Sequence, residues 1–270
     1  MSRVALGSVK ASPGVTTTAV ALAATWPAGR QVTVLEADPA GGDLAARYGL
    51  PGEPSLLTLA AATRKEPASR VAAGHLQHLP GGLAVLVAPA SADQVQVALG
   101  MLGPAGALLG GIDGDVLVDA GRLDPRSPAL ALAGGCELLA ICVRPVLAEL
   151  HHLAARVETL RSVSAQLGLV VIGDGAYPPA EIAGALEVEV LGALPGDAHG
   201  AGMLAGEAAS PRTLRRLALL RSARSLAETI CARLTPVAPP SANEPGTGPK
   251  KDDATGGLQA AAMPSPAGVR

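Results

Sequence analysis

Between an apolar strand at residues 3–9 and the helix that follows runs Lys10-Ala11-Ser12-Pro13-Gly14-Val15-Thr16-Thr17-Thr18, a stretch of small, hydroxyl-bearing and cationic residues. A strand–loop–helix joint of this kind is suited to phosphate. Small residues let backbone N–H groups curl around an anion, a lysine neutralises it, and a hydroxyl at the helix start ligates magnesium. The general phosphate-loop pattern, Gly-x-x-x-x-Gly-Lys-Ser/Thr, is met at Gly14 and Thr16 and broken at Val9 and Val15. Val15 stands where a lysine would meet the phosphates, which forgoes charge-assisted contacts of about 1.5–3 kcal/mol. Pro13 has no N–H to offer and pushes Ser12 toward extended dihedrals. Taken alone, Thr16-Thr17-Thr18 also suits a helix cap, and Lys10 a solvated loop lysine.

Two later segments could complete such a site. Gln31-Val32-Thr33-Val34-Leu35-Glu36-Ala37-Asp38-Pro39-Ala40-Gly41-Gly42-Asp43 reads as a buried strand ending in acids and glycines, the composition expected where strand carboxyl ends open onto a ligand crevice. Asp115-Val116-Leu117-Val118-Asp119-Ala120-Gly121 is a second apolar strand with Asp119 at its tip, where a carboxylate can hold magnesium directly or through water. Asp38 before Pro39 also suits the start of a turn. Glu36 follows the loop at about the distance of a ribose-binding acid, which opens a dinucleotide-dependent oxidoreductase as another reading. That chemistry needs Gly-x-Gly-x-x-Gly, however, and the loop offers only Gly14.

The elements that must position these residues alternate strand and helix. Apolar segments at 136–143, 169–173 and 188–193 read as further strands, with a helix from about Val146 to Leu167 and another opening at Pro178-Pro179. Ser55 to Ala73 reads as helical, and His75 to Leu83 as a connector into the strand Ala84-Val85-Leu86-Val87. Alternating βα units predict an α/β fold, a single doubly wound, mostly parallel sheet with helices on both faces. Residues 1–235 make one domain in this reading.

In this order the motifs resemble those of the MinD/ParA group of P-loop ATPases, whose deviant loop reads Lys-Gly-Gly-x-Gly-Lys-Thr-Thr and falls here on Lys10 to Thr17. The resemblance implies that Lys10 reaches across a nucleotide-bound homodimer to the partner's phosphates. It also implies that Ser12, Gly14 and Thr17 contact phosphate, that Thr16 and Asp119 hold magnesium, and that Asp38 positions the attacking water. Leu191-Gly192-Ala193-Leu194-Pro195-Gly196-Asp197 is similar to the family's late strand and adenine-side loop, which places Pro195 and Asp197 by the base. Degenerate loops occur in the pilus-positioning relatives CpaE and TadZ, whose second motif Gly41-Gly42-Asp43-Leu44-Ala45 resembles. The implied function is an ATP- and magnesium-dependent dimerising switch with slow hydrolysis. It would position a chromosome locus, a septum, or pilus or secretion machinery. The alternative is a pseudo-ATPase scaffold that recruits partners without turnover.

Composition bounds the remainder. The chain has 270 residues and a net charge of −2; 49% of it is apolar, with three aromatic residues, Trp26, Tyr48 and Tyr177. Core volume must come from Leu, Val and Ala. No apolar run reaches the roughly 18 residues of a spanning helix and no signal peptide is legible, so a cytoplasmic protein is expected. Cys136, Cys142 and Cys231 lack metal spacing and read as buried thiols. A last helix from about Pro211 to Leu234 carries Arg212, Arg215, Arg216, Arg221, Arg224 and Arg233 beside leucines. It would suit nonspecific DNA or an anionic membrane surface, or simply close the fold with solvated arginines. The weak net charge speaks against strong nucleic-acid affinity. Residues 236–270 are Pro-, Ala- and Gly-rich and predict a disordered tail.

Overall fold

In the computed structural model, residues 1–102, 105–205 and 217–234 are described. The readings for Arg212, Arg215 and Arg216 and for the 236–270 tail lie outside them. Eight strands form one sheet among the described residues: Arg3–Ser8 (β1), Val32–Glu36 (β2), Gln77–His78 (β3), Ala84–Leu86 (β4), Asp115–Arg122 (β5), Leu138–Val143 (β6), Leu167–Ile172 (β7) and Val190–Leu194 (β8). Their order is β3-β4-β2-β5-β1-β6-β7-β8, and every neighbouring pair is parallel except β3–β4. The expected doubly wound, mostly parallel sheet is what the chain forms.

Period-two alternation divides the buried strand residues between two cores. Ala5, Leu35, Val116, Val118, Leu139 and Ile141 face one helical layer. Val4, Leu6, Val34, Leu117, Leu138 and Ala140 face the other. Both faces are apolar, as a parallel sheet covered on both sides requires. The second layer is built from the helix Val15–Ala24 (α1) and the closing helix Ala218–Leu234. Ala19 and Ala23 let α1 approach closely, and Leu219, Ala223, Leu226 and Ile230 form the buried stripe of the closing helix. Of its arginines, Arg221 and Arg224 are exposed, while Arg233 bonds Gln166 and Glu189. No described helix is long and apolar enough to cross a membrane.

Two polar knots tie the amino ends of β1 and β5, one around the buried Asp115 carboxylate and one around the part-buried Arg3. The Asp115 carboxylate accepts from the Ser2 N–H (2.6 Å), Trp26 Nε1 (2.8 Å), and Arg30 Nε and Nη2 (2.6 and 2.9 Å). Arg3 donates to the carbonyls of Leu109, Ile112 and Gly114.

Three element boundaries differ from expectation. The stretch 146–167 is two helices, Leu147–Ala154 and Val157–Arg161, because the chain must deliver Leu167 opposite Leu139 in the sheet. A single helix through that point would overrun the strand. The stretch 55–73 breaks at Pro67, which sits extended at φ −62° and ψ 146° between Leu56–Ala62 and Ala68–Val71. The strand carrying Asp119 runs three residues beyond it to Arg122, so that Asp119 is interior to β5 and not at its tip. The three cysteines are buried, and burial pushes the Cys136 and Cys142 thiols up to about 12.

Candidate functional site

The phosphate-type loop leaves the sheet after Ser8, at the carboxyl edge of β1 between β5 and β6. It turns back through two left-handed residues, Ala11 at φ +58° and Gly14 at φ +96°. Gly14 occupies the cap position of α1, with the Thr18 N–H donating to its carbonyl at 2.8 Å. No side chain caps this helix, and its first turn carries no acid. The threonines therefore do not act as a cap, and the helix start presents N–H groups and a partial positive charge to the loop's concave side.

That side opens into a cleft of about 560 Å³. Ser12, Gly14, Thr16, Thr17 and Asp38 line it, together with Val15, Asp43, Arg47, Gly121 and Arg122. Asp119 lies beneath, with no exposed surface. Its Oδ1 accepts from the Gly121 N–H at 3.1 Å, and its Oδ2 has no hydrogen-bond partner among the described residues. Burial pushes the Asp119 carboxyl up to about 7; the Thr16 side chain opposes the rise, and the charges of Glu36 and Asp38 add to it. Thr16 and Asp38 thus both act on the Asp119 carboxyl.

Asp38 is held over β5 by a glycine. Its Oδ1 accepts from the Ala40 N–H at 2.9 Å, and its carboxyl rests against Gly121, which has φ +56°. A Cβ at position 121 would overlap that carboxyl. Burial raises the Asp38 carboxyl above its ordinary range.

Glu36 has a structural job that excludes the ribose-binding one. Its carboxylate is buried and accepts three backbone N–H bonds, from Asp43 (2.6 Å), Leu44 (2.9 Å) and Ala88 (2.9 Å). These bonds pin the loop after β2 to the loop after β4. Gly41 and Gly42 allow the approach, since a Cβ at either would strike the Ala90 or Ala88 carbonyl. The dinucleotide reading has no free acid at that position.

Two groups of expected site residues lie elsewhere. Lys10 is exposed and does not line the cleft. Pro195 and Asp197 follow β8, at the sheet edge, three strands from β1. There the Asp197 Oδ1 caps the short helix Ala198–Leu204 by accepting from the Gly200 N–H at 2.8 Å. Gly196 packs near Gly173, so the loops after β7 and β8 meet each other, and neither lines the phosphate cleft. Sequence reasoning missed the Glu36 clamp, Gly121 and Arg122. A glycine and a basic residue two and three positions after Asp119 were the available signal.

No family model matches the chain, and no curated protein matches it by sequence. Solved structures do. The cell division ATPase MinD of Pyrococcus furiosus is similar over 86% of this chain and 100% of its own, with a TM-score of 0.67 at 19% identity. The septum site-determining protein MinD of Pyrococcus horikoshii OT3, complexed with Mg-ADP, is similar over 85% and 95%, with a TM-score of 0.66 at 17% identity. A ParA family ATPase from Chlorobium tepidum TLS is similar over 83% and 98%, with a TM-score of 0.66 at 15% identity. The chain has the fold of the MinD and ParA ATPases.

Proposed function

We propose that this chain is a nucleotide-dependent switch of the MinD/ParA type, which binds ATP with magnesium in the cleft, pairs with a second copy and hydrolyses slowly to position a cellular cargo. The observation that carries the reading is Asp119: a fully buried carboxylate with one oxygen that has no hydrogen-bond partner among the described residues, under a cleft that opens on an uncapped helix start. Leaving such an atom unmatched costs about 1–3 kcal/mol, and functional sites are where such costs are retained.

The residues fit magnesium, since Asp119 and Thr16 offer the hard oxygen donors it takes. When bound, the ion would offset charge on the phosphates and on the carboxylates around them. In this reading the first N–H groups of α1 receive phosphate oxygens, and Thr17 adds a hydroxyl. Asp38, oriented by Ala40 and Gly121, accepts a proton-bearing bond from water. Lys10, exposed and with no hydrogen bond or ion pair among the described residues, is available to a second copy. The Mg-ADP held by the Pyrococcus horikoshii MinD structure supports the nucleotide class. Chromosome loci, septa, and pilus or secretion assemblies are the cargo classes the reading allows.

The test is calorimetric titration with Mg-ATP after removal of carried-over nucleotide, beside sedimentation with and without ligand. Saturable binding with a shift from monomer to dimer is expected. An inert monomer with no bound nucleotide would overturn the reading, and binding without turnover would leave a scaffold.

A further inference from the structure

We infer that Arg122 supplies the phosphate-binding cation that Val15 does not. The inference rests on the nucleotide reading of the cleft and goes beyond it by naming how an anion is held there. The position that would carry a loop lysine is turned to the core: Val15 touches the cleft but is only 7% exposed and packs into the apolar core under α1. Lys10 points charge elsewhere, since it does not line the cleft. The walls carry Asp38, Asp43 and Asp124, with Asp119 beneath, so a phosphate entering this space meets a negative surround and needs a cation of the chain's own.

Two guanidinium groups line the cleft, Arg47 and Arg122. Arg47 is engaged, with its Nη2 on the Asp43 Oδ2 at 2.7 Å. Arg122 is not. Its Nη2 donates one long bond, 3.2 Å, to the Ala11 carbonyl of the phosphate loop, and its remaining N–H groups have no partner among the described residues. Register brings it there, because Arg122 pairs with Ser8, the residue from which the loop departs. The cation thus reaches the loop from the neighbouring strand. A planar guanidinium can bind two phosphate oxygens at once while one N–H stays on the loop, which an ammonium cannot match.

The experiment compares wild type with Arg122→Gln and Arg122→Lys by calorimetry with Mg-ATP and Mg-ADP. Gln keeps a polar amide but is two bonds shorter than Arg and has no charge; Lys keeps charge without the fork. Arg122→Gln should weaken Mg-ATP binding 10- to 100-fold, Arg122→Lys by less than tenfold, and the melting temperature without ligand should not move in either, because the side chain is exposed. Wild-type affinity in Arg122→Gln overturns the inference and leaves the nucleotide reading standing. Equal losses in the two variants also overturn it, since they assign Arg122 to shaping the loop. A wild-type protein that binds neither nucleotide overturns both.

Discussion

At the scale of single residues, the cleft separates groups that are held from groups that are left available. Asp38 is held through Ala40, and Glu36 through three N–H bonds, whereas one oxygen of Asp119 and the Lys10 ammonium have no described partner. Lys10 gives the sharpest test, because it is exposed on a loop and contributes nothing to the core. Lys10→Ala should leave the melting temperature within about 2 °C of wild type, as surface changes of under 0.5 kcal/mol do. It should also abolish ATP-dependent dimerisation in sedimentation. A variant that still pairs would remove the cross-dimer role and leave nucleotide binding untouched.

At the scale of elements, the site depends on how two loops and one strand meet. β5 continues past Asp119 through Gly121, whose positive φ and missing Cβ create the seat for Asp38. Gly121→Ala must pay left-handed strain of about 1–2 kcal/mol and also expel the Asp38 carboxyl. It should lower stability by about 1–3 kcal/mol in urea titration. Hydrolysis should fall more than nucleotide affinity, because Asp38 is displaced while the helix start is not. A Gly121→Ala protein with wild-type turnover would show that Asp38 does not act from this position.

At the scale of the whole molecule, the functional edge of the sheet is opposite an amino-terminal edge that serves stability. Burial alone would raise the Asp115 carboxyl, but hydrogen bonds from Arg30, Trp26 and the Ser2 N–H outweigh it and hold the group at about 2. A carboxylate held below its unfolded value stabilises the fold above that value, near 3.8, and loses the contribution as pH falls toward 2. Discounted for the partly exposed Arg30, this is about 1–2 kcal/mol. Unfolding free energy should therefore drop between about pH 4 and pH 2 in wild type, and this component should be missing in Asp115→Asn. Asn retains acceptor capacity on one atom only, so the variant should be about 2–4 kcal/mol less stable at neutral pH. An unaltered acid limb in Asp115→Asn would contradict the assignment.

Much of this was legible in the chain. Alternating apolar strands with small residues and strand-ending acids specify a parallel sheet and its ligand edge, since both depend on local pattern and on the rule that such sheets bind ligands at their carboxyl ends. Gly14 and Thr16 fit the general phosphate-loop spacing, the resemblance to the MinD/ParA loop added Ser12, Thr17 and Asp38, and the fold lines all five along one cleft. Strand register and the packing of distant loops were not legible, because they are set by contacts between residues far apart in sequence. Only the tertiary structure showed that Glu36 clamps two loops and that Gly121 seats Asp38. It alone placed Arg122 opposite Ser8, carrying its cation to the loop whose own position, Val15, the core had already claimed.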